Sequence, residues 1–327
     1  MDKTVSDLAA QVISQTTSAS ETGLPQRFLG RTGERISILG MGGWHVAAGN
    51  DRQESIRILH AAQDEGINFF DNAWDYHDGY AEEVMGEALA MDGRRYRVFL
   101  MTKVCERDYA GATKNLEDSL RRLRTDHLDL WQFHECVYDN DPEWVFEKGA
   151  IRAALEARQQ GKIRFIGFTG HKDPWIHLKM LAKPQAWDAA QMPVNFLDAY
   201  YRSFQNDLIP ECLRRNIGVI GMKGLGGGHP PEGRIPAHLG VPPAECYRYC
   251  LSQPVATQVA GISNMQQLRD DVAMARHFKA MTAEEMEALR TRFRDVAGDG
   301  RHELFKSSKD FDSAYHRNQH GFAASAG

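Results

Sequence analysis

The sequence lacks several features that would assign it to a specialised class of protein. Its 327 residues include only five cysteines, and the apolar runs are no longer than a strand. A membrane-spanning helix needs about 20 consecutive apolar residues, so the sequence predicts no such helix. With 42% hydrophobic and 25% charged residues, the composition also excludes a disordered chain, a collagen-like repeat and a small disulfide-rich fold.

The odd number of cysteines argues against a disulfide framework. No pair of them has the spacing of a zinc or iron–sulfur site, and Cys246 and Cys250 stand where two residues share one helical face. We expect free thiols, buried or half-buried, in a reducing compartment, and hence a cytoplasmic protein. The five are Cys105, Cys136, Cys212, Cys246 and Cys250.

An excess of charge of one sign is also missing. The net charge is −5, and it is spread along the chain, which argues against a nucleic acid or an anionic membrane as the main partner. Residues 1–25 lack the basic start and the long apolar core of a signal peptide. We expect this segment to be a polar, mobile leader.

From about residue 36 the sequence alternates short apolar runs with amphipathic stretches, at a repeat of roughly 30 to 40 residues. Several runs are almost wholly apolar, as in parallel strands that are covered on both faces. Eight such units predict a (β/α)8 barrel rather than a doubly wound sheet, which has fewer strands and a glycine fingerprint. The predicted strands are 37–41, 67–72, 98–104, 128–134, 163–168, 189–193, 218–222 and 258–262.

The segments around these units complete the expectation of one domain. Residues 26–35 have the pattern of a hairpin that would plug the amino-terminal mouth of the barrel. We divide the chain into a leader (1–25), a barrel (26–297) and a polar carboxyl-terminal tail (298–327). The tail either folds back over the active-site mouth or is disordered. The glycine- and proline-rich stretch 224–243 follows the seventh strand and is expected on the catalytic face.

In such a barrel the chemistry is carried by residues at the carboxyl ends of the strands. The sequence places Asp71, Tyr76, Lys103 and His134 there. Buried together, Asp71 and Lys103 would offset each other's desolvation. A charged Lys103 near Tyr76 would lower the pKa of the phenol and make it a proton donor tuned toward neutral pH. His134 would orient a carbonyl beside it.

Each of these four residues alone has a simpler explanation as a helix cap or a surface side chain. Their order and spacing together resemble the aldo-keto reductase superfamily, over roughly residues 28–296. The matching segments are GMGGW (40–44), the step from Asp71 to Tyr76, MTKV (101–104), QFHE (132–135) and QMPVN (191–195). With GFTGH (167–171) and VIGMKGLGGG (219–228), they are most similar to a bacterial branch of predicted reductases.

This resemblance implies NAD(P)H-dependent reduction of an aldehyde or ketone to an alcohol. Hydride would come from the nicotinamide and the proton from Tyr76, with Asp71 and Lys103 setting the acidity of the phenol. The implied partner is a small-molecule carbonyl substrate. Whether the protein is a monomer or a homo-oligomer stays open.

The resemblance also implies a site for NADP(H), with NAD(H) as the alternative. Two positions depart from the family pattern: Gly170 replaces an asparagine, whose hydrogen bond is either missing or supplied by His171, and Met222 replaces an aromatic ring. No well-placed cation for a 2′-phosphate is evident, because Asp270 and Asp271 stand near the adenosine end. The implied cofactor residues are Gly42, Gly43, Thr169, Gly170, Gln191, Met222, Lys223, Gly224, Gly226, Ser263, Asn264 and Gln267.

The implied substrate residues are Trp44, Trp74, His134 and Glu135. Glu135 stands where members that favour apolar aldehydes often have tryptophan. A carboxylate there indicates either a hydroxylated substrate, such as a sugar, or an ion pair with a loop arginine. No metal ligand set is expected.

Two other classes of protein stay as alternatives. The first is a non-catalytic NADP(H)-binding regulatory or sensor subunit on the same fold. The second is a metal-dependent sugar isomerase or hydrolase, which would use side chains near the strand ends, although Lys103 and Tyr76 have no role in it. Its candidate ligands would be His45, His77, His134, Glu135 and His171.

Overall fold

The structure, a computed structural model, describes residues 3–17, 23–185, 187–228 and 233–322. Within these residues, two short antiparallel strands, β1 (Gln26–Phe28) and β2 (Arg35–Ser37), form a hairpin. Eight parallel strands then close into a barrel, in which the last strand pairs with the first. The barrel strands are β3 (Leu39–Gly42), β4 (Phe69–Asp71), β5 (Phe99–Val104), β6 (Leu128–Phe133), β7 (Ile163–Thr169), β8 (Ala189–Pro193), β9 (Gly218–Met222) and β10 (Thr257–Ala260).

The barrel confirms the predicted fold class, and each predicted strand has its counterpart. The observed strand ends differ from the predicted ones by at most two residues; β3, for example, begins two residues later than predicted because Ser37 belongs to the hairpin. The side-chain hydroxyl of Ser37 donates to the Leu39 carbonyl over 2.7 Å, and this bond marks the turn from hairpin into barrel. Strands β5 and β6 are buried at every residue, as expected for strands covered on both faces.

Helices surround the barrel, and several begin at an aspartate that caps them. The Asp51, Asp108 and Asp173 side chains each accept a hydrogen bond from a backbone N–H in the first turn. In the described residues the helices are α1 (Lys3–Ser14), α2 (Gly43–Ala47), α3 (Arg52–Asp64), α4 (Tyr80–Leu89), α5 (Tyr109–Arg122), α6 (Asp141–Glu147), α7 (Ala150–Gln159), α8 (Pro174–Ala182), α9 (Phe204–Asp207), α10 (Ile209–Arg214), α11 (Arg234–Leu239), α12 (Pro243–Leu251), α13 (Met265–Arg276), α14 (Ala283–Arg292), α15 (Arg294–Ala297), α16 (Leu304–Ser307) and α17 (Ala314–Gln319).

The hairpin closes the amino-terminal mouth of the barrel, as predicted. Leu29 and Ile36 are fully buried and pack with Phe69, Phe99 and Ile220 in the lower interior of the barrel. The hairpin and strands β4, β5 and β9 thus share one apolar cluster, which stabilises the closed sheet.

The leader differs from its prediction where the structure describes it. Residues 3–14 form helix α1, whose Val5 is fully buried and which packs against α10. Leu8 and Val12 lie on the same face, because residues three, four and seven apart share a helix face. This helical spacing was present in the sequence, and the prediction of a mobile leader did not take it into account. Residues 1–2 and 18–22 lie outside the described residues, as do 229–232 of the loop after β9.

The carboxyl-terminal tail folds back across the carboxyl-terminal mouth of the barrel. Its Lys306 is buried and contacts Asp198 over 2.5 Å and Glu303 over 3.1 Å. Further along, the Ser313 backbone N–H donates to Glu135 over 3.0 Å. Of the two alternatives for the tail, the described part up to residue 322 is folded over the mouth.

All five cysteines are free and buried, as the sequence predicts. Cys246 and Cys250 lie on one face of α12. Of the helices in the described residues, none has the length and apolar composition needed to cross a membrane.

Candidate active site

The four residues singled out in the sequence meet at the carboxyl-terminal mouth. Asp71 ends β4 and Lys103 lies near the end of β5. His134 follows β6 directly, and Tyr76 begins a short 3-10 turn after β4. Adjacent parallel strands in register bring their ends together, so residues distant in sequence lie side by side.

Asp71 and Lys103 form a buried ion pair, with 4% and 1% of their surfaces exposed. The Lys103 ammonium also donates to the Asn72 carbonyl over 2.6 Å. The second carboxylate oxygen of Asp71 accepts from Gln191 Nε2 over 2.6 Å. This network holds the ammonium in place and compensates the cost of burying both charges.

The Tyr76 hydroxyl lies 3.3 Å from Lys103 Nζ. The predicted fall in its pKa does not occur: burial, together with the negative charges of Asp71 and Asp75, raises the pKa of Tyr76 well above its ordinary value. The sequence argument counted the cation of Lys103 and left out the burial of the phenol, which is the largest cause, and the charge of Asp75. Tyr76 therefore keeps its proton at neutral pH.

His134 is buried behind Tyr76, with the two ring centroids 5.6 Å apart. Its Nδ1 lies 3.0 Å from Asp75 Oδ1 and 3.6 Å from the Cys105 sulfur. Burial lowers the pKa of His134, and this effect exceeds the opposing attraction of Asp75. The imidazole is therefore neutral at pH 7. The Arg107 guanidinium donates to the His134 carbonyl over 2.6 Å and fixes the backbone at this strand end.

Glu135 faces the tail, and of the two alternatives for this carboxylate the ion pair with a loop arginine is wrong among the residues that the structure describes. Its carboxylate accepts from the Ser313 N–H over 3.0 Å, and its φ of 43° turns the chain sharply at the end of β6. Burial and the nearby Asp75 charge raise the pKa of Glu135 to about 8. Much of the Glu135 population is thus protonated at neutral pH.

A cavity of about 640 Å³ opens at this mouth. All four strand-end residues line it, and the tail contributes Phe311 and Asp312 to its wall. The other predicted site residues in its lining are Gly42, Gly43, Trp44, Glu135, Thr169, Gln191, Met222, Lys223 and Gln267. The volume is within the range of cofactor and substrate pockets.

Some predicted site residues lie outside the lining of this cavity. Of the two predicted tryptophans, Trp44 lines the cavity and Trp74 does not. The Trp74 ring instead packs against Tyr315 of the tail, with centroids 5.3 Å apart. Gly170 is tightly enclosed, since a Cβ there would lie 2.3 Å from the Cys136 carbonyl oxygen. A side chain as large as asparagine would not fit at this position. His171, the next residue, contacts Asp312 of the tail over 3.3 Å.

The predicted adenosine end is organised around the start of α13. Asn264 caps this helix by accepting from the Gln266 and Gln267 backbone N–H groups. The Gln267 side chain accepts from the N–H and the hydroxyl of Ser263, each over 2.9 Å. The remaining predicted glycines, Gly224 and Gly226, belong to the loop after β9 and are buried.

Three residues around His134 escaped the sequence argument: Asp75, Cys105 and His316. Asp75 precedes Tyr76 directly and Cys105 lies two residues after Lys103, so a search extended by two positions on either side of each predicted residue would have found both. His316 comes from the tail, and only the folded chain brings it to the mouth, where its ring centroid lies 5.5 Å from that of His134.

Fold and site together define a (β/α)8-barrel protein with a cavity at the carboxyl-terminal mouth, where an acid, a phenol, an amine and an imidazole meet. The profile of the aldo/keto reductase family matches residues 38–234. The chain belongs to this family of oxidoreductases.

Curated relatives agree with this assignment. An aldo-keto reductase of Alternaria alternata is 29% identical over 262 residues, which span 65% of this chain and 69% of that protein. A methylglyoxal reductase of Escherichia coli is 34% identical over 195 residues, or 57% of this chain and 63% of that protein. A 6-dehydroglucose reductase of Novosphingobium aromaticivorans is 29% identical over 228 residues, or 64% and 72%.

Solved structures share the fold. The holo form of an aldo-keto reductase from Bacillus halodurans has a TM-score of 0.67 and 25% identity, covering 86% of this chain and 99% of its own. An aldo/keto reductase from Klebsiella pneumoniae in complex with NADP and acetate has a TM-score of 0.65 and 23% identity, with coverage of 81% and 94%.

Proposed function

We propose that this protein reduces an aldehyde or ketone to an alcohol with NADP(H), with Tyr76 as the proton donor. One observation carries the proposal: the Tyr76 hydroxyl lies 3.3 Å from a Lys103 ammonium that Asp71 holds in place, at the wall of the cavity. A phenol with a fixed cation beside it is suited to protonate an oxygen on which negative charge develops.

The raised pKa of Tyr76 is compatible with this role. Tyr76 keeps its proton until a carbonyl oxygen becomes basic, and then transfers it. Lys103 stabilises the phenolate that remains, because the ammonium is already oriented and costs no reorganisation. The neutral His134 lies beside Tyr76 and positions the carbonyl with a ring nitrogen.

The cavity also fits a nicotinamide cofactor. The Gln191 side chain donates to Asp71, and its Oε1 is buried without a hydrogen-bond partner in the described residues. Such an oxygen calls for a donor, and a carboxamide N–H₂ is one. Gly42 and Gly43 line the cavity beside Gln191, where the ring and ribose would lie, and Lys223 would supply a cation for the pyrophosphate. When bound, the cofactor supplies the hydride.

For the substrate we propose a small, hydroxylated carbonyl compound. Glu135 lines the cavity directly after His134, and its carboxyl group would form a hydrogen bond with a substrate hydroxyl that an apolar aldehyde lacks. The similarity to a 6-dehydroglucose reductase supports a hydroxylated carbonyl compound, and the similarity to a methylglyoxal reductase supports a small one.

The test combines cofactor binding with an aldehyde panel. NADPH and NADH are titrated by fluorescence into wild type and Tyr76→Phe, and oxidation of the bound cofactor is followed with hydroxylated and aromatic aldehydes. We expect the variant to keep its cofactor affinity and lose nearly all reductase activity. In the wild type, hydroxylated aldehydes should have the higher kcat/KM.

Tyr96→Phe serves as the matched control, since the Tyr96 side chain is 85% exposed and far from the cavity. It should behave as wild type. If the wild-type protein binds NADPH but transfers no hydride to any carbonyl in a single turnover, the sensor alternative replaces the reductase.

A further inference from the structure

Four metal-ligating side chains converge behind the cavity from four separate segments. Asp75 lies in the turn after β4, Cys105 follows β5, His134 follows β6, and His316 lies on α17 of the tail. One ligand atom from each lies within 4.8 Å of all the others. His316 and Cys105 are fully buried, and His134 is 5% exposed.

His316 stands out because it is buried with its polar atoms unsatisfied. Neither of its ring nitrogens has a hydrogen-bond partner within the described chain. The nearest carboxylate, that of Glu135, lies 3.8 Å from Nε2, which is beyond hydrogen-bond distance. Asp75 Oδ1 lies 3.0 Å from His134 Nδ1, but the angles of this contact are not those of a hydrogen bond, so this oxygen also lacks a partner among the described residues. Buried polar atoms without partners are rare and indicate a missing partner.

We propose that Asp75, Cys105, His134 and His316 bind one divalent metal ion of the zinc class. A thiolate, two imidazoles and one carboxylate form a ligand set that suits Zn²⁺, and the thiolate disfavours Mg²⁺ and Ca²⁺. In a tetrahedral zinc site the ligand atoms lie about 3.3–3.8 Å apart. The 3.0 and 3.6 Å contacts of His134 Nδ1 are close to this range.

The charges also balance. Binding would release the Cys105 proton, and the thiolate and the Asp75 carboxylate together neutralise the dication. A buried neutral centre costs less than a buried isolated charge. Three of the four ligands follow barrel strands, and the fourth, His316, belongs to the tail.

The site would therefore join the tail to the barrel. With the ion bound, α17 is held at the mouth through His316, next to the position that His134 occupies beside Tyr76. Metal occupancy and the folded position of the tail would stabilise each other, because the ion binds only the arrangement in which all four ligands meet. Binding of the ion does not depend on the proposed reductase activity, so the two proposals can fail separately.

The test uses Co²⁺ as a spectroscopic substitute for Zn²⁺. The full chain is freed of metal with a chelator and titrated with Co²⁺ under anaerobic conditions. We expect one equivalent to produce a thiolate-to-cobalt charge-transfer band with the intense d–d bands of tetrahedral cobalt, and Zn²⁺ to abolish both. Cys105→Ser should lose the charge-transfer band, and His316→Asn should weaken Co²⁺ binding roughly 100-fold.

Cys212→Ser is the control, because Cys212 is buried on α10, away from the cluster. It should bind Co²⁺ as wild type does. A second readout, the Tm, should rise with Zn²⁺ in wild type and in Cys212→Ser, but not in His316→Asn, whose substitution lies on the tail and leaves the barrel core intact. Octahedral cobalt spectra, or equal Co²⁺ affinity in wild type and both ligand variants, would overturn the proposal.

Discussion

Lys103 couples the stability of the barrel to its chemistry. It is 1% exposed, and its ammonium bonds to the Asp71 carboxylate and the Asn72 carbonyl. Replacing it by methionine would leave the Asp71 carboxylate buried with only Gln191 as a partner. We expect Lys103→Met to lower the free energy of unfolding by about 3 kcal/mol, measured by urea denaturation at pH 7.

The double variant Asp71→Asn/Lys103→Met separates the two roles. Removing both charges eliminates the uncompensated carboxylate, so much of the lost stability should return, while the reductase activity should stay lost because no cation faces Tyr76. Equal stability of the single and the double variant would contradict the ion-pair account.

The positions of the site residues could be predicted from the sequence, but properties that depend on their surroundings could not. Asp71, Tyr76, Lys103 and His134 were predictable because a barrel places strand ends together. The direction of the Tyr76 pKa was not, since it depends on the sum of charges that folding brings near, including Asp75 and Glu135. His316 lies 240 residues after Tyr76 along the chain, and no local pattern connects the two.

At the scale of elements, helix α13 carries a buried acid that makes stability depend on pH. Asp271 is 8% exposed and faces α12, where the phenol of Tyr247 is buried. Burial, with a smaller contribution from Asp270, raises the pKa of Asp271 from 3.8 to about 7. The folded protein therefore binds a proton that the unfolded chain releases between these values, and its stability falls as the pH rises through this range.

Asp271→Asn should remove this dependence. At pH 4 the variant and the wild type should have similar Tm values, because Asp271 is then largely protonated. Above pH 7 the variant should be more stable by up to about 4 kcal/mol, measured by thermal unfolding at a series of pH values. Asp270→Asn, on the exposed face of α13, should keep most of the pH dependence, because burial is the larger cause of the raised pKa of Asp271. A difference between Asp271→Asn and wild type that does not change with pH would disprove the assignment.

The boundaries of elements were less predictable than their existence. The predicted strand 258–262 became β10, Thr257–Ala260, because the chain leaves the sheet at Gly261, where a Cβ would lie 2.5 Å from the His45 ring. In α1 the opposite error occurred: a weakly apolar segment forms a helix because one face packs against α10. Both outcomes depend on tertiary contacts, which contribute more to the stability of an element than its local sequence propensity does.

At the scale of the whole molecule, the barrel was predictable and the course of the tail was not. Eight repeats of strand and helix allow few arrangements. The tail has no such repeat, and its polar residues are explained only by their partners: Lys306 pairs with Asp198, and the Asp312 carboxylate contacts Lys172 over 2.7 Å. A polar sequence can thus be a folded lid when its charges are matched by the surface it covers.

Removing the tail tests what it does for the cavity. Phe311 and its neighbours form part of the cavity wall, so a chain that ends after Ser308 should keep the Asp71, Lys103 and Tyr76 network but lose that wall. An apolar side chain of this size contributes about 1.5–3 kcal/mol when buried, so we expect KM for a small hydroxylated aldehyde to rise about tenfold or more, with a smaller change in kcat. Bulkier aldehydes should become better substrates because the cavity opens. A chain ending after Phe322 is the control, since it retains every described tail contact and should behave as the full chain. Steady-state kinetics on both truncations measure KM and the selectivity between small and bulky aldehydes. If the chain that ends after Ser308 has an unchanged KM and unchanged selectivity, the tail covers the mouth without shaping the pocket.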